Sequence, residues 1–228
     1  MLSSIEGFVG DEHQRWLKIA GGPKAEVLDA TVQTLTLSPS SIAVEMGCFV
    51  GYTAIRLGWR FGCRAKAAVT PESWRRPSSV SAEFDAIHVC IARHHIDMAR
   101  LSEHAEVWPG HVPWITPRFV ELFGELGVGF VFMDHKGTRF HLDLADCRSL
   151  RAFAAGAHLL CDNVLKPGAP EYLWAHHRSS RTRSPSVPSG CPAALPLGSA
   201  VVWMLHEFME PEAEDWMSLL DCTGDASR

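Results

Sequence analysis

Apolar residues in this chain come in short runs, and three of those runs carry an acidic group at or near their end. They are Ser41-Ile42-Ala43-Val44-Glu45-Met46, Val131-Phe132-Met133-Asp134-His135 and Leu160-Cys161-Asp162-Asn163-Val164. A run of this length, bounded by polar or glycine residues, predicts a buried strand of an α/β sheet. Elsewhere the spacing becomes helical. Glu26 to Leu37 carries Val27, Leu28, Val32 and Leu35 on one side and is stopped by Ser38-Pro39. Ile87 to Leu101 repeats the pattern with Ile87, Ile91, Met98 and Leu101. Further helices are predicted from Ala54 to Arg60, Phe119 to Leu126 and Leu142 to Phe153, and a short strand at Glu106-Val107-Trp108. Strands alternating with helices imply a mainly parallel, doubly wound sheet.

Two stretches follow neither period. Residues 67–81 and 178–196 are rich in Ser, Pro and Arg, too polar to offset the entropy of ordering, and are predicted to be flexible inserts in a single domain spanning 1–228. The second could also serve as a phosphorylation or basic docking segment.

Composition acts mainly by exclusion. The chain has 228 residues, 46% of them apolar, which suits one large α/β domain. A net charge of -5 leaves no electrostatic footprint for nucleic acid. No apolar run approaches the ~18 residues of a membrane span. The start, Met1 to Asp11, lacks the basic and apolar segments of a signal peptide. Seven cysteines without CxxC spacing point to neither a disulfide framework nor a zinc site, and a cytoplasmic setting is expected. A monomer is expected.

The candidate chemistry lies at the strand ends. In open parallel sheets, ligands bind beyond the carboxyl ends of the strands. Asp134, Asp162 and Asn163 should converge there as oxygen donors suited to a hard cation such as Mg²⁺. Each segment alone would pass for a helix cap or a turn; together they favour a site. Glu45 and the glycines Gly47 and Gly51 open a strand–turn–helix unit of nucleotide-binding type. Glu83 stands where an acid grips a ribose, and helix capping is the alternative for Glu83 and Asp85. There is no HExxH, GxSxG or P-loop motif.

Residues 43–56 (AVEMGCFVGYTAIR), Phe132-Met133-Asp134-His135 and residues 161–170 (CDNVLKPGAP) resemble the catechol O-methyltransferase family. The resemblance implies a Rossmann-like, seven-stranded class I methyltransferase fold, S-adenosylmethionine and Mg²⁺ as cofactors, and a small aromatic diol as substrate. It implies that Glu45, Gly47, Tyr52, Thr53, Glu83 and His135 bind the cofactor, with Asp134, Asp162 and Asn163 as metal ligands. Trp16 and Pro167 match residues flanking the substrate, and Glu207 matches a glutamate that bonds the second hydroxyl. The turn from Gly21 to Lys24 also resembles the family. The departures concern catalysis: the family's lysine base falls on Gly137, Lys136 stands one place early, and Val112-Pro113 replaces a Ser-Gln pair at the adenine. Lys136 is therefore the candidate base, and Gly137→Lys is expected to raise turnover. A Mg²⁺-dependent enzyme for another phenol, or a methyltransferase-like scaffold acting through partners, are the alternatives.

Overall fold

In the computed structural model, the described residues are 1–9, 18–38, 40–67, 76–177, 194–197, 200–207 and 212–222. The centre of the molecule is built from β1 (Ile42–Met46) and β4 (Val128–Met133), whose residues are all buried. Their side chains alternate between two apolar layers. Val44, Met46, Val131 and Met133 point into one. Ala43, Phe130 and Phe132 point into the other. A strand with helices on both faces has to be apolar throughout, which is why these runs show no polar alternation.

Around this pair lie β2 (Ser79–Glu83), β3 (Ala105–Pro109), β5 (Phe153–Cys161), β6 (Ala194–Leu197), β7 (Ala200–His206) and β8 (Glu214–Asp221). The sheet order is β3-β2-β1-β4-β5-β8-β7-β6. The pairings from β3 to β5 are parallel, and those made by β8 with β5 and β7 and by β6 with β7 are antiparallel. The chain moves outward from β1 to β3 and then returns to β4, so the strand order reverses between β1 and β4. Ligands bind at such a reversal.

The first face is covered by α5 (Val112–Phe123), α6 (Phe140–Ser149) and α7 (Pro170–His177). The second face carries α2 (Pro23–Thr34) and α3 (Tyr52–Ala67), with α1 (Leu2–Val9) and α4 (Ala86–Met98) packed beside α3. Among the described residues, no helix is long and apolar enough to cross a membrane.

Several boundaries differ from the sequence expectation. The seven strands are joined by an eighth, β6, at the outer edge. Ala194 to Pro196, expected in the second insert, belong to it, with Leu195 beside Val202; residues 178–193 lie outside the described residues. Ser79-Val80-Ser81, expected in the first insert, form β2 and are buried. Their serines mimic a loop but are satisfied inside, Ser81 Oγ by Glu45 and Ser79 Oγ by the His104 carbonyl at 3.4 Å. Helix α5 begins seven residues earlier than expected, because Pro113 occupies a first-turn position that needs no N–H. Phe153 opens β5 rather than closing α6.

Candidate functional site

The turn between β1 and α3 is held by an acid from the neighbouring strand. Glu83 Oε2 accepts the N–H groups of Cys48 (3.1 Å) and Phe49 (2.8 Å), and its other oxygen accepts the N–H of Asp85 at 2.9 Å. Glu83 is thus a loop anchor and not the helix cap. Asp85 caps α4 through the N–H groups of Ile87 and His88 at 2.8 and 3.1 Å, which hold its carboxyl below the usual range. Gly47, with φ near 95°, passes so close to β4 that a Cβ would lie 2.6 Å from the Asp134 carbonyl oxygen. Glycine is required there by the protein's own backbone.

Glu45 is buried beneath this turn and accepts the Ser81 hydroxyl. Burial pushes its carboxyl up to about 8, against the hydrogen bonds from Ser81, Cys48 and Thr53, with the Glu83 charge adding to the rise. It is a neutral acid at pH 7, able to donate. The Tyr52 hydroxyl is committed to Glu6 and to Arg56 Nη2 (2.7 Å), while Arg56 Nη1 reaches Asp29 at 2.8 Å. Burial, and then Glu6, push Tyr52 up to about 12. Tyr52 therefore brings no free hydroxyl to a cofactor.

Asp134 and Asp162 follow β4 and β5 directly. The ladder continues into them, with the Asp134 N–H on the Met46 carbonyl and the Asp162 N–H on the Met133 carbonyl, both at 2.9 Å. Behind them sits Lys24, 1% exposed, its ammonium 2.8 Å from each of Asp162 Oδ1, Glu207 Oε1 and Asp215 Oδ2. Asn163, in a left-handed conformation with φ 55°, donates Nδ2 to Asp215 (2.7 Å) and Glu207 (3.1 Å). Both partners can only accept, so the amide nitrogen must face them and the carbonyl oxygen must turn away.

The charges do not balance. Lys24 is one ammonium against the carboxylates of Asp162, Glu207 and Asp215, with Asp134 nearby. Burial alone would lower Lys24, but the surrounding carboxylates override it and raise it. Burial lifts Asp162 to about 6 despite Lys24. Asp134 is raised well above its usual range by burial and then by the Asp162 charge. Asp215 stays low: burial opposes ionisation, but Lys24 and the N–H groups of Lys166 and Trp216 outweigh it.

Among the described residues no donor bonds the Asp134 carboxylate, and no three acidic, imidazole or thiol side chains are grouped to hold a metal. What remains is two carboxylates and one amide oxygen with excess negative charge. That set fits a hard cation completing its shell with water or substrate.

A cavity of about 890 Å³ opens beside this cluster. Glu45, Gly47, Tyr52, Thr53, Glu83, Asp134, His135 and Lys136 all line it. Asp162, Asn163, Pro167 and Glu207 are not in its wall; the first two and Glu207 gather round Lys24 behind Asp134. Pro167 is exposed in the turn Val164–Gly168, and Trp16 lies outside the described residues. His135 Nε2 meets Asp143 at 2.7 Å, and the second oxygen of Asp143 takes Arg139 at 3.1 Å. Lys136 is exposed on the rim.

Gly137 is buried, and a Cβ on it would lie 2.3 Å from the Gly168 carbonyl oxygen. A side chain at 137 therefore requires the Gly168 turn to shift, which the expectation for Gly137→Lys did not take into account. Two central residues, Lys24 as the hub and Asp215 as its partner, were not among the expected site residues. The signals for Lys24 were the resemblance of the turn from Gly21 to Lys24 to the family and a cation near the start of a helix, where the dipole disfavours it. Asp215 carried none.

No protein-family model matches the chain. It is 30% identical over 161 residues to the catechol O-methyltransferase of Sus scrofa, covering 69% of this chain and 76% of that protein. It is 30% identical over 182 residues to catechol O-methyltransferase B of Danio rerio and 25% over 176 residues to the Mus musculus protein, spanning 62% and 59% of their lengths and drawing on 80% and 76% of its own. In fold, it is similar to the O-methyltransferase from Bacillus cereus in complex with SAH, with a TM-score of 0.51 at 17% identity, covering 97% of this chain and 100% of that one. It is also similar to the SAH-bound methyltransferase PaMTH1 of Podospora anserina, with a TM-score of 0.57 at 13% identity, covering 96% and 86%. By its sequence relatives, the chain belongs to the catechol O-methyltransferase family.

Proposed function

We propose that the protein is a divalent-cation-dependent O-methyltransferase, with S-adenosylmethionine as methyl donor and a catechol-type aromatic diol as acceptor. The observation that carries this reading is the Asp134 carboxylate, on the wall of a cavity of about 890 Å³, without a donor among the described residues and repelled by the charge of Asp162 behind it. Asp134, Asp162 and Asn163 would hold the cation. S-adenosylmethionine supplies an electrophilic methyl group, and the cation supplies Lewis acidity and orientation for two adjacent hydroxyls. A phenol has a pKa near ~10, so ionising it at neutral pH needs such help.

The remaining work falls to the chain. Glu83 fixes the turn at Cys48 and Phe49, and its spare lone pairs suit the hydroxyls of a ribose. Glu45, neutral and buried, offers a proton rather than a charge. Glu207 is steadied through Oε1 by Lys24 and Asn163, which leaves its second oxygen to accept a hydrogen bond from the diol. The closed space at Gly137 leaves no room for a base there and favours slow turnover.

The test is transfer of labelled methyl from S-adenosylmethionine to a catechol and to the matching monophenol, with Mg²⁺ or with EDTA. Transfer to the diol alone, lost in EDTA and restored by Mg²⁺, is the expected result. Undiminished transfer in EDTA would remove the cation from the reading. Cofactor binding without transfer to any diol would favour a binding protein on a methyltransferase fold.

A further inference from the structure

We infer that this protein selects diols that carry an anionic side arm, a carboxylate, over those that carry a cationic one, and that the Lys136 ammonium at the cavity mouth makes the selection. The inference rests on the diol reading proposed above and names the acceptor class of that same site.

The charges on the cavity wall are sorted by depth. Of the carboxylates that line it, Glu45, Glu83 and Asp143 are buried, at 1%, 6% and 1% exposure, and Asp134 is the proposed cation ligand. The cations lie at the surface: Lys18 and Lys136 are exposed, and the Arg139 side chain is 41% exposed. The buried acids are already engaged. Glu45 is neutral at pH 7, and Glu83 accepts three backbone N–H groups. Asp143 meets His135 with one oxygen and Arg139 with the other, which neutralises Arg139. Lys136 makes no ion pair with any described residue. The mouth is therefore positive, with Lys136 as an uncompensated charge, and a cleft lined by one sign of charge draws in ligands of the other.

Lys136 is placed by its neighbours. It stands two residues after Asp134, so its backbone lies within about 7 Å of that acid. Its carbonyl accepts the Arg139 N–H at 2.8 Å, and the next residue, Gly137, is packed against the Gly168 carbonyl oxygen. The flexible stem thus swings from a fixed root. A diol with its oxygens toward Asp134 has Asp162 and Glu207 gathered behind it around Lys24. An arm on the far side of its ring is left toward the opening, within the sweep of the Lys136 ammonium. A carboxylate there gains a charge-assisted hydrogen bond. An ammonium there meets a like charge, and Glu45, Glu83 and Asp143 are too deep and too engaged to receive it.

Isothermal titration of protein saturated with S-adenosylhomocysteine and Mg²⁺ tests this without turnover. The ligands are dihydrocaffeate, dopamine and ethylcatechol, which share the diol and a two-carbon arm and differ in the charge at its end. Dihydrocaffeate should bind tightest and dopamine weakest, about 5-fold or more apart at low salt, the scale of one exposed charge pair. The gap should shrink as salt rises, because the ammonium is exposed. Lys136→Met should cut the ratio by about 3-fold or more, and Lys136→Glu should cut it further. Both substitutions are on an exposed side chain, and an unchanged thermal midpoint will certify the fold. A wild-type ratio smaller than about 5-fold would overturn the inference while leaving the diol reading intact. So would a ratio that either variant leaves unmoved. Failure of all three ligands to bind, with S-adenosylhomocysteine bound, would bring down the diol reading itself, and this inference with it.

Discussion

Removing the ammonium at the centre of the acidic cluster should cost about 4 kcal/mol at pH 7. In Lys24→Met the side chain keeps its length but loses its charge, and Asp162, Glu207 and Asp215 each lose a partner at 2.8 Å. Breaking a buried ion pair by deleting one member typically costs about 3–5 kcal/mol. Three full penalties are not expected, because each carboxylate keeps another donor. Asp162 retains the Asn163 N–H, Glu207 retains Asn163 Nδ2, and Asp215 retains Asn163 Nδ2 with the N–H of Lys166. A carboxylate also has an escape: it can take a proton. For a group with an unfolded pKa near ~3.9 that costs about 4 kcal/mol at pH 7 and only about 1.5 kcal/mol at pH 5. With the ammonium gone, burial favours the protonated form of the carboxylates it held. The folded state then binds more protons, and its stability rises as the pH falls toward the unfolded pKa. The gap between variant and wild type should therefore narrow from pH 7 to pH 5. Urea unfolding in EDTA, followed by circular dichroism, measures it, with an expected midpoint loss of roughly 1–2 M at pH 7. A loss below about 1 kcal/mol at pH 7, or a gap that widens in acid, would refute the claim that Lys24 neutralises this cluster.

Gly137→Ala should lower the thermal midpoint by several degrees, since a Cβ would lie 2.3 Å from the Gly168 carbonyl oxygen and overpacking costs roughly 1–3 kcal/mol. Gly137→Lys should do no better and should not raise turnover; a stable, faster Gly137→Lys would show that the Gly168 turn moves aside freely. Glu45→Gln tests the neutral acid. With a folded pKa of about 8, above its unfolded value, wild-type Glu45 contributes stability that is lost as the pH rises through 8, and glutamine should remove that loss. Parallel stability curves for the two proteins from pH 5 to 9 would refute the assignment. Lys136→Met, on the exposed rim, should change methyl transfer less than about 10-fold, against the 10²–10⁴-fold expected of a positioned base. A loss in that larger range would make Lys136 the base.

What could be read in the sequence was what repeats locally. β4 carries an unbroken apolar run, and β1 one interrupted only by Glu45, because both their faces are covered, and the chain chemistry announces their ends. The rule that ligands sit beyond those ends then located Asp134, Asp162 and Asn163 within one region. β2 was missed in part because its buried serines look like loop residues until their partners, Glu45 and the His104 carbonyl, are known. α5 was shortened because two prolines, Pro113 and Pro117, mask its first turns. The Lys24–Asp215 bond joins residues 191 positions apart, and no local pattern can register it.

Gly137 makes the same point from the opposite side. In the sequence it is an absence, a lysine missing where the family has one, and the obvious remedy is to put the lysine back. In the structure it is a contact. The turn Val164–Gly168 brings the Gly168 carbonyl against Gly137, while Asp215 pins that turn from behind through the N–H groups of Leu165 and Lys166 at 3.3 and 3.0 Å. Asp215 is itself held by Lys24 and Asn163. The space for a side chain at 137 is therefore closed by the network that orients Asn163 and Glu207. Opening it means moving a turn tied to the proposed metal ligands, so the missing base and the geometry of the acidic cluster cannot be altered independently.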